Sequence, residues 1–238
     1  MLVLLSPLLL AQGRHARRVT PRLPEPGGAR SGREGRGPAL RLLIAGDSAA
    51  AGVGVGDQRA ALSGQLGRRL TPHVDLHWTL IAQTGYTTRD LLQRLSQEPA
   101  GVFDVAVLSL GVNDVTGAVR TGAWLAQQRA LVLLLQQRFQ VQHVVLSSLP
   151  PMNEFHALPQ PLRWLLGARA RRFNEALARA VEAWPGCELL STVPVRDAGA
   201  LAADGFHPGP STYAAWAAQL AERIMRSLPA ATAGQQAI

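Results

Sequence analysis

The chain has 238 residues, of which 47% are apolar, 17% charged and 5% aromatic. That composition suits one compact domain with a sizeable core and excludes disorder, collagen and coiled coil. The single cysteine, Cys187, rules out an intramolecular disulfide, a cysteine-rich zinc site and a C-x-x-C redox motif. All 24 basic residues are arginine, so chemistry that needs a lysine amine, such as a P-loop grip, a Schiff base or pyridoxal attachment, has no residue to run on.

The net charge of +8 is concentrated at the N-terminus, where residues 1–41 hold eight arginines against Glu25 and Glu34. The remainder is nearly neutral, and its few aromatics are scattered, which argues against a nucleic-acid groove. Residues 1–10 are almost wholly apolar but, as a helix, reach across only about half of a ~30 Å hydrocarbon core. The arginines follow this run rather than precede it, and Leu10-Ala11-Gln12 is a poor cleavage site, so a cytoplasmic or peripherally membrane-associated protein is favoured over a secreted one. Residues 14–38, rich in Arg, Gly and Pro, read as an extended linker. The division expected is an arm over 1–38, a domain over 39–230 and a tail over 231–238. The arm has three readings: packed on the domain, anchored at a membrane surface through its apolar run and arginines, or a signal.

From residue 40 the pattern turns regular. Short apolar runs at 40–45, 74–82, 103–110 and 141–148 predict strands, with a shorter one at 188–191. Helical spacing predicts helices near 58–70, 87–98, 119–139, 162–183 and 211–228. This alternation marks βαβ units, and the predicted fold is a single α/β domain of three layers, doubly wound around a parallel sheet. In such sheets the site forms beyond the carboxyl ends of the strands, so the loops after residues 45, 82, 110 and 148 should converge.

Those loops carry the chemistry. Ser48, in Gly46-Asp47-Ser48 directly after the first long strand, sits like a nucleophile on a strand-to-helix turn. Gly85 has an unshielded backbone N–H and Asn113 a side-chain amide, the two donor types that hold a developing oxyanion. Asp204 and His207, three apart on one loop, allow the carboxylate to orient the imidazole through Nδ1–H and leave Nε2 for a serine proton. Plainer readings stand beside these: Ser48 as a helix N-cap, Asn113-Asp114 as a turn with Asp114 structural, and His207 as a helix cap. Gly52, Gly54 and Gly56 have the wrong spacing for a dinucleotide fingerprint. His73 and His77 with Asp75 read as a solvated strand face rather than a metal site. His143 and His156 read as unpaired, Cys187 as a small buried hydrophobe, and Arg163, Arg169, Arg171 and Arg172 as a solvated surface. Residues 150–161, with four prolines around Met152, Phe155 and Leu158, read as a substrate-contacting loop.

The set Gly46-Asp47-Ser48 with Gly52, then Gly85, then Gly111-x-Asn113-Asp114, then Asp204-x-x-His207-Pro208 resembles the SGNH hydrolases, also called the GDSL esterase/lipase family. The resemblance spans about residues 40–228 and implies a flavodoxin-like fold. It implies Ser48 as nucleophile, His207 as general base and then acid, and Asp204 as its orienter. It also implies an oxyanion hole from Ser48 N–H, Gly85 N–H and the Asn113 side chain. Ala49 departs from the common leucine at a packing position. The expected activity is hydrolysis of short-chain carboxylic esters through an acyl-enzyme, with no cofactor, no metal and a small ester as partner. The same site could instead serve thioesters, lysophospholipids or sugar acetates, and the arm a membrane-surface protein.

Overall fold

A computed structural model describes residues 2–191 and 197–228, with side chains from Pro7 onward; the expected tail over 231–238 lies outside them. Six strands form one sheet: β1 (Ser31–Gly35), β2 (Ala39–Gly46), β3 (Asp75–Ala82), β4 (Val105–Ser109), β5 (His143–Ser147) and β6 (Cys187–Leu190), in the order β1-β3-β2-β4-β5-β6. Strands β2 to β6 are parallel, and β1 pairs antiparallel to β3 at the edge. Without that edge strand, the order is the flavodoxin-like 2-1-3-4-5.

Strand side chains alternate between two cores. Leu43, Ala45, Ala106, Leu108, Val144 and Leu146 face the layer of α4 (Thr88–Gln97), α6 (Thr121–Arg138) and α7 (Leu162–Val181). Leu40, Leu42, Ile44, Val105, Val107 and Val145 face α3 (Leu62–Leu70) and α8 (Pro210–Ser227). Both faces are covered, which is why β4 and, past the exposed Arg41, β2 from Leu42 onward read as continuous apolar runs rather than alternating ones. Local signals agree with the elements: a capping box between Thr87 and Asp90 starts α4, and Pro210 opens α8 at its first turn.

Three features beyond the main sheet and its helices matter for the site. The segment expected as a linker contributes β1, a fully exposed strand without apolar alternation that is held by its pairing with β3. The apolar and basic N-terminus forms α1 (Leu2–Val19), which packs on the start of α7: Gln12 Nε2 donates to Gln160 O at 2.6 Å, its Oε1 accepts from Leu162 N at 3.2 Å, and Ala16 is buried. Among the described residues no helix is long and apolar enough to cross a membrane. Two short helices, α2 (Ser48–Ala51) and α5 (Val112–Thr116), follow β2 and β4 directly.

Candidate active site

The strand order decides what can meet. Strand β2 lies between β3 and β4, so the loop carrying Gly85 and the turn carrying Asn113 flank the turn carrying Ser48. The loops after β5 and β6 approach from the far side of β4. Gly46 closes β2, and a Cβ there would meet Ser109 O at 2.1 Å; without one, Asp47 N donates to that carbonyl at 3.1 Å and ties the serine turn to β4. Asp47, not Ser48, is the N-cap of α2, its Oδ1 accepting from Ala49 N at 3.1 Å. Burial, chiefly, and the nearby Asp114 push the Asp47 carboxyl up to about 7 against the pull of the Ala49 N–H. Ser48 is therefore the first helical residue, with its N–H unused by the helix and its hydroxyl facing outward.

The hydroxyl of Ser48 lies 3.0 Å from His207 Nε2. On the other side of the ring, His207 Nδ1 lies 2.5 Å from Asp204 Oδ2, while Asp204 Oδ1 accepts from Phe206 N and His207 N, both at 3.0 Å. Asp204 is buried, which raises its pKa, but the hydrogen bonds from the ring and the two N–H groups outweigh burial and hold it below the usual carboxylate value. An ionised carboxylate there fixes Nδ1 as the protonated nitrogen and leaves Nε2 to accept from the Ser48 hydroxyl. Gly54 makes the approach possible: φ is +111°, and an added Cβ would meet Pro208 O at 2.2 Å. From below, buried Tyr213 on α8 places its hydroxyl 2.7 Å from Val53 O and 3.0 Å from Ala49 O, so one proton braces both ends of the turn behind Ser48.

Gly85 is exposed, with φ +90°, and no acceptor among the described residues engages its N–H. Asn113 donates one amide hydrogen to Tyr86 O at 2.9 Å, which orients the side chain and leaves a second hydrogen available. Asp114 is fully buried and accepts from the N–H and hydroxyl of Thr88, both at 3.0 Å, anchoring α5 to α4. Its place is structural, as the plainer reading has it.

A cavity of about 660 Å³ opens at Ser48 and His207, lined largely by apolar side chains including Leu110, Leu149, Phe155, Leu201 and Trp216. Of the loop residues expected to touch substrate, Phe155 lines this cavity and packs on Phe206, which meets the His207 ring edge-on. Met152 and Leu158 do not line it. Met152, in a short 3-10 turn (Met152–Glu154), is fully buried, and both side chains point into the core below the loop because a segment crossing the sheet end must cover that core. Gly85 and Asn113 also lie outside the lining.

Some other side chains differ from expectation and some agree with it. His143 and His156 have partners, Glu188 at 2.9 Å and Arg163 at 3.2 Å. Arg163 lines the cavity, and Arg169 is half-buried on Val119 O, whereas Arg171 and Arg172 are exposed. Cys187 is partly rather than fully buried, its thiol pushed up to about 11 by burial. Asp75 is held by Arg33 and lies 3.4 Å from His77. The sequence reading missed Tyr213 and the N-capping role of Asp47; an aspartate before a short helix was the available signal for the second.

The fold and the residues gathered at the strand ends are those of a hydrolase acting on ester bonds. The sequence model of the GDSL-like Lipase/Acylhydrolase family matches residues 44–230, and the chain belongs to that family. It is 28% identical over 247 residues to the GDSL-like esterase Rv1075c of Mycobacterium tuberculosis, covering 87% of this chain and 72% of that protein. Among solved structures it is similar to a carbohydrate esterase family 2 enzyme with a carbohydrate-binding domain from Corynascus thermopiles (TM-score 0.64, 17% identity, 87% of this chain and 68% of that one). It is also similar to the lipase Lip_vut3 from a goat rumen metagenome (TM-score 0.60, 20% identity, 76% and 95% covered).

Proposed function

We propose that the protein is a serine esterase that hydrolyses short-chain carboxylic esters through an acyl-enzyme. The observation that carries this reading is the chain of contacts Asp204–His207–Ser48 at the mouth of an apolar cavity. Ser48 Oγ attacks the carbonyl carbon as its proton passes to His207 Nε2. The C–O bond to the alcohol then breaks, and the proton passes from His207 to the leaving oxygen. Water, deprotonated by the same nitrogen, attacks the acyl-enzyme and restores Ser48. Ser48 N–H, Gly85 N–H and the free Asn113 hydrogen are the proposed donors to the oxyanion.

The expected optimum lies within about two to eight acyl carbons, each methylene that fits the apolar cavity adding roughly 0.8 kcal/mol of burial. A p-nitrophenyl ester series should rise to that range and then level off. A rise continuing past about twelve carbons would refute the short-chain reading. Acyl-CoA and an acetylated sugar, run alongside, test the thioester and sugar-acetate readings; the second has a fold-level parallel in the carbohydrate esterase above.

A second reading concerns contact with a membrane surface. Leu8, Leu10 and Val19 of α1 and Trp164 of α7 are exposed, and Arg14, Arg17 and Arg18 lie on the same α1 with no acidic residue. Apolar side chains beside these cations fit an anionic lipid surface. Co-sedimentation with anionic vesicles is expected to weaken at high salt and with Leu8→Ser plus Leu10→Ser. Equal sedimentation with neutral vesicles, or none with anionic ones, counts against this contact.

A further inference from the structure

We propose that residues 25–30, between α1 and β1, form a strap that sets the Gly85 loop against the Ser48 turn, with Glu25 as a positioning residue for the oxyanion donors. The proposal rests on the esterase reading above, in which Gly85 N–H is one of those donors.

The contacts fall on the residues next to the donor. Thr84, immediately before Gly85, donates its N–H at 2.6 Å and its hydroxyl at 2.8 Å to the same oxygen, Oε1 of Glu25. The other carboxylate oxygen takes Arg30 Nη1 at 3.0 Å, and Arg30 Nη2 donates to the carbonyl of Ala82, the last residue of β3. One ion pair thus spans the start of the loop, from the strand end to Thr84. Burial alone would raise the Glu25 carboxyl, but Thr84 and Arg30 together hold it below its usual value, so it is the ionised acceptor at neutral pH. The loop needs such a hold. A Cβ added at Gly85 would meet nothing within 4 Å, so among the described residues none packs against that side of the glycine. Apart from Glu25, it is fixed by Gln83 N to Gly46 O at 3.3 Å, its own turn bond from Tyr86 N to Gln83 O at 3.2 Å, and the Asn113 amide on Tyr86 O.

The same stretch also grips the nucleophile side. Pro26 lies so close to Gly52, the C-cap of α2, that a Cβ on that glycine would meet its Cγ at 2.9 Å. Gly27 O accepts from Gln58 N at 2.9 Å, and buried Gln58 donates through Nε2 to the carbonyl of Ala51, the last residue of α2, at 2.7 Å. Leu80 N, donating to Arg30 O at 2.7 Å, then leads the strap into β1 beside β3. Six residues therefore touch both loops whose relative position an oxyanion hole depends on. By contrast, the exposed Arg33 to Asp75 pair attaches the edge strand at the opposite end of β3, away from the catalytic loops. It serves as the internal control.

The test uses the full chain with p-nitrophenyl butyrate as substrate and phenylboronic acid as a probe that forms a tetrahedral anion on a serine. Glu25→Ala is expected to lower kcat by about 10-fold to 100-fold with KM held within ~2-fold, as for a group that misplaces the reacting geometry without touching substrate. Boronate affinity should fall by the same factor. Glu25→Gln, which keeps an acceptor for Thr84, should recover most of the loss, and Arg33→Ala should leave both readouts unchanged. The strap is refuted if Glu25→Ala keeps its kcat, if the loss appears as KM alone, or if Arg33→Ala reproduces it. Should Glu25→Ala not fold, Thr84→Val, which removes only the hydroxyl contact, must still lower kcat; an unchanged kcat refutes the proposal. Ser48→Ala in the same assay separates the two ideas. An inactive Ser48→Ala beside an unaffected Glu25→Ala overturns the strap alone, whereas an active Ser48→Ala overturns the esterase reading beneath it.

Discussion

Ser48→Ala and His207→Ala are each expected to lower ester turnover by at least about 10³, with the double variant no worse than either alone, because nucleophile and base act as one unit. The 3.0 Å contact between Ser48 Oγ and His207 Nε2 makes the hydroxyl's proton transfer direct, and the Asp204 carboxylate leaves the imidazole a single tautomer in which to receive it. A fluorophosphonate probe should label the parent protein on one serine and leave Ser48→Ala unlabelled. Equal labelling of Ser48→Ala would remove Ser48 as nucleophile. Both substitutions delete polar atoms at a partly open position, so folding should be retained, and a circular dichroism spectrum matching the parent checks it. His207→Ala is the more informative of the pair. If the His207 ring only helped to hold its loop, the bonds of Asp204 to Phe206 N and to the backbone N–H of residue 207 would survive the substitution and activity would persist.

Ser48, Asp204 and His207 could be singled out in the sequence by local signals, Ser48 following Gly46-Asp47 at a strand end and Asp204 and His207 standing three apart on one loop; the structure adds the backbone reasons around them. Gly46 lets the chain pass Ser109 O, and Gly54 lets the turn behind Ser48 pass Pro208 O. The parallel strands were legible because both faces of β4, of most of β5 and of β2 from Leu42 onward are buried, so these stretches run continuously apolar. What was hidden has a common cause: it depends on partners distant in sequence. Strand β1 is polar and fully exposed, and only its register against β3 makes it a strand. Met152 and Leu158 carry the same apolar signal as Phe155, yet only Phe155 lines the cavity; which side of a loop faces the core is decided by the sheet end beneath it. Glu25 and Arg30 looked like linker charges. Their meaning comes from Thr84 and Ala82, more than fifty residues further along the chain.

Asn113→Ala is expected to lower kcat by about 10² to 10³ with little change in KM, because the donor meets full negative charge only in the transition state. The side chain is preset for this. Asp114, bonded to Thr88, fixes the start of α5, and the Asn113 amide spends one hydrogen on Tyr86 O, so the other points in a set direction before substrate arrives. The substitution also frees Tyr86 O, one residue past Gly85, and so loosens the Gly85 loop from the end opposite Glu25. Asn113→Asp separates the two effects. It keeps the size of the side chain but, ionised, has no hydrogen to give either Tyr86 O or the oxyanion, and it adds negative charge where negative charge develops. Its kcat should therefore fall below that of Asn113→Ala. A KM increase with kcat preserved in both variants would make Asn113 a substrate-binding residue. Equal kcat losses in the two would assign Asn113 to holding the Tyr86 carbonyl rather than to the oxyanion.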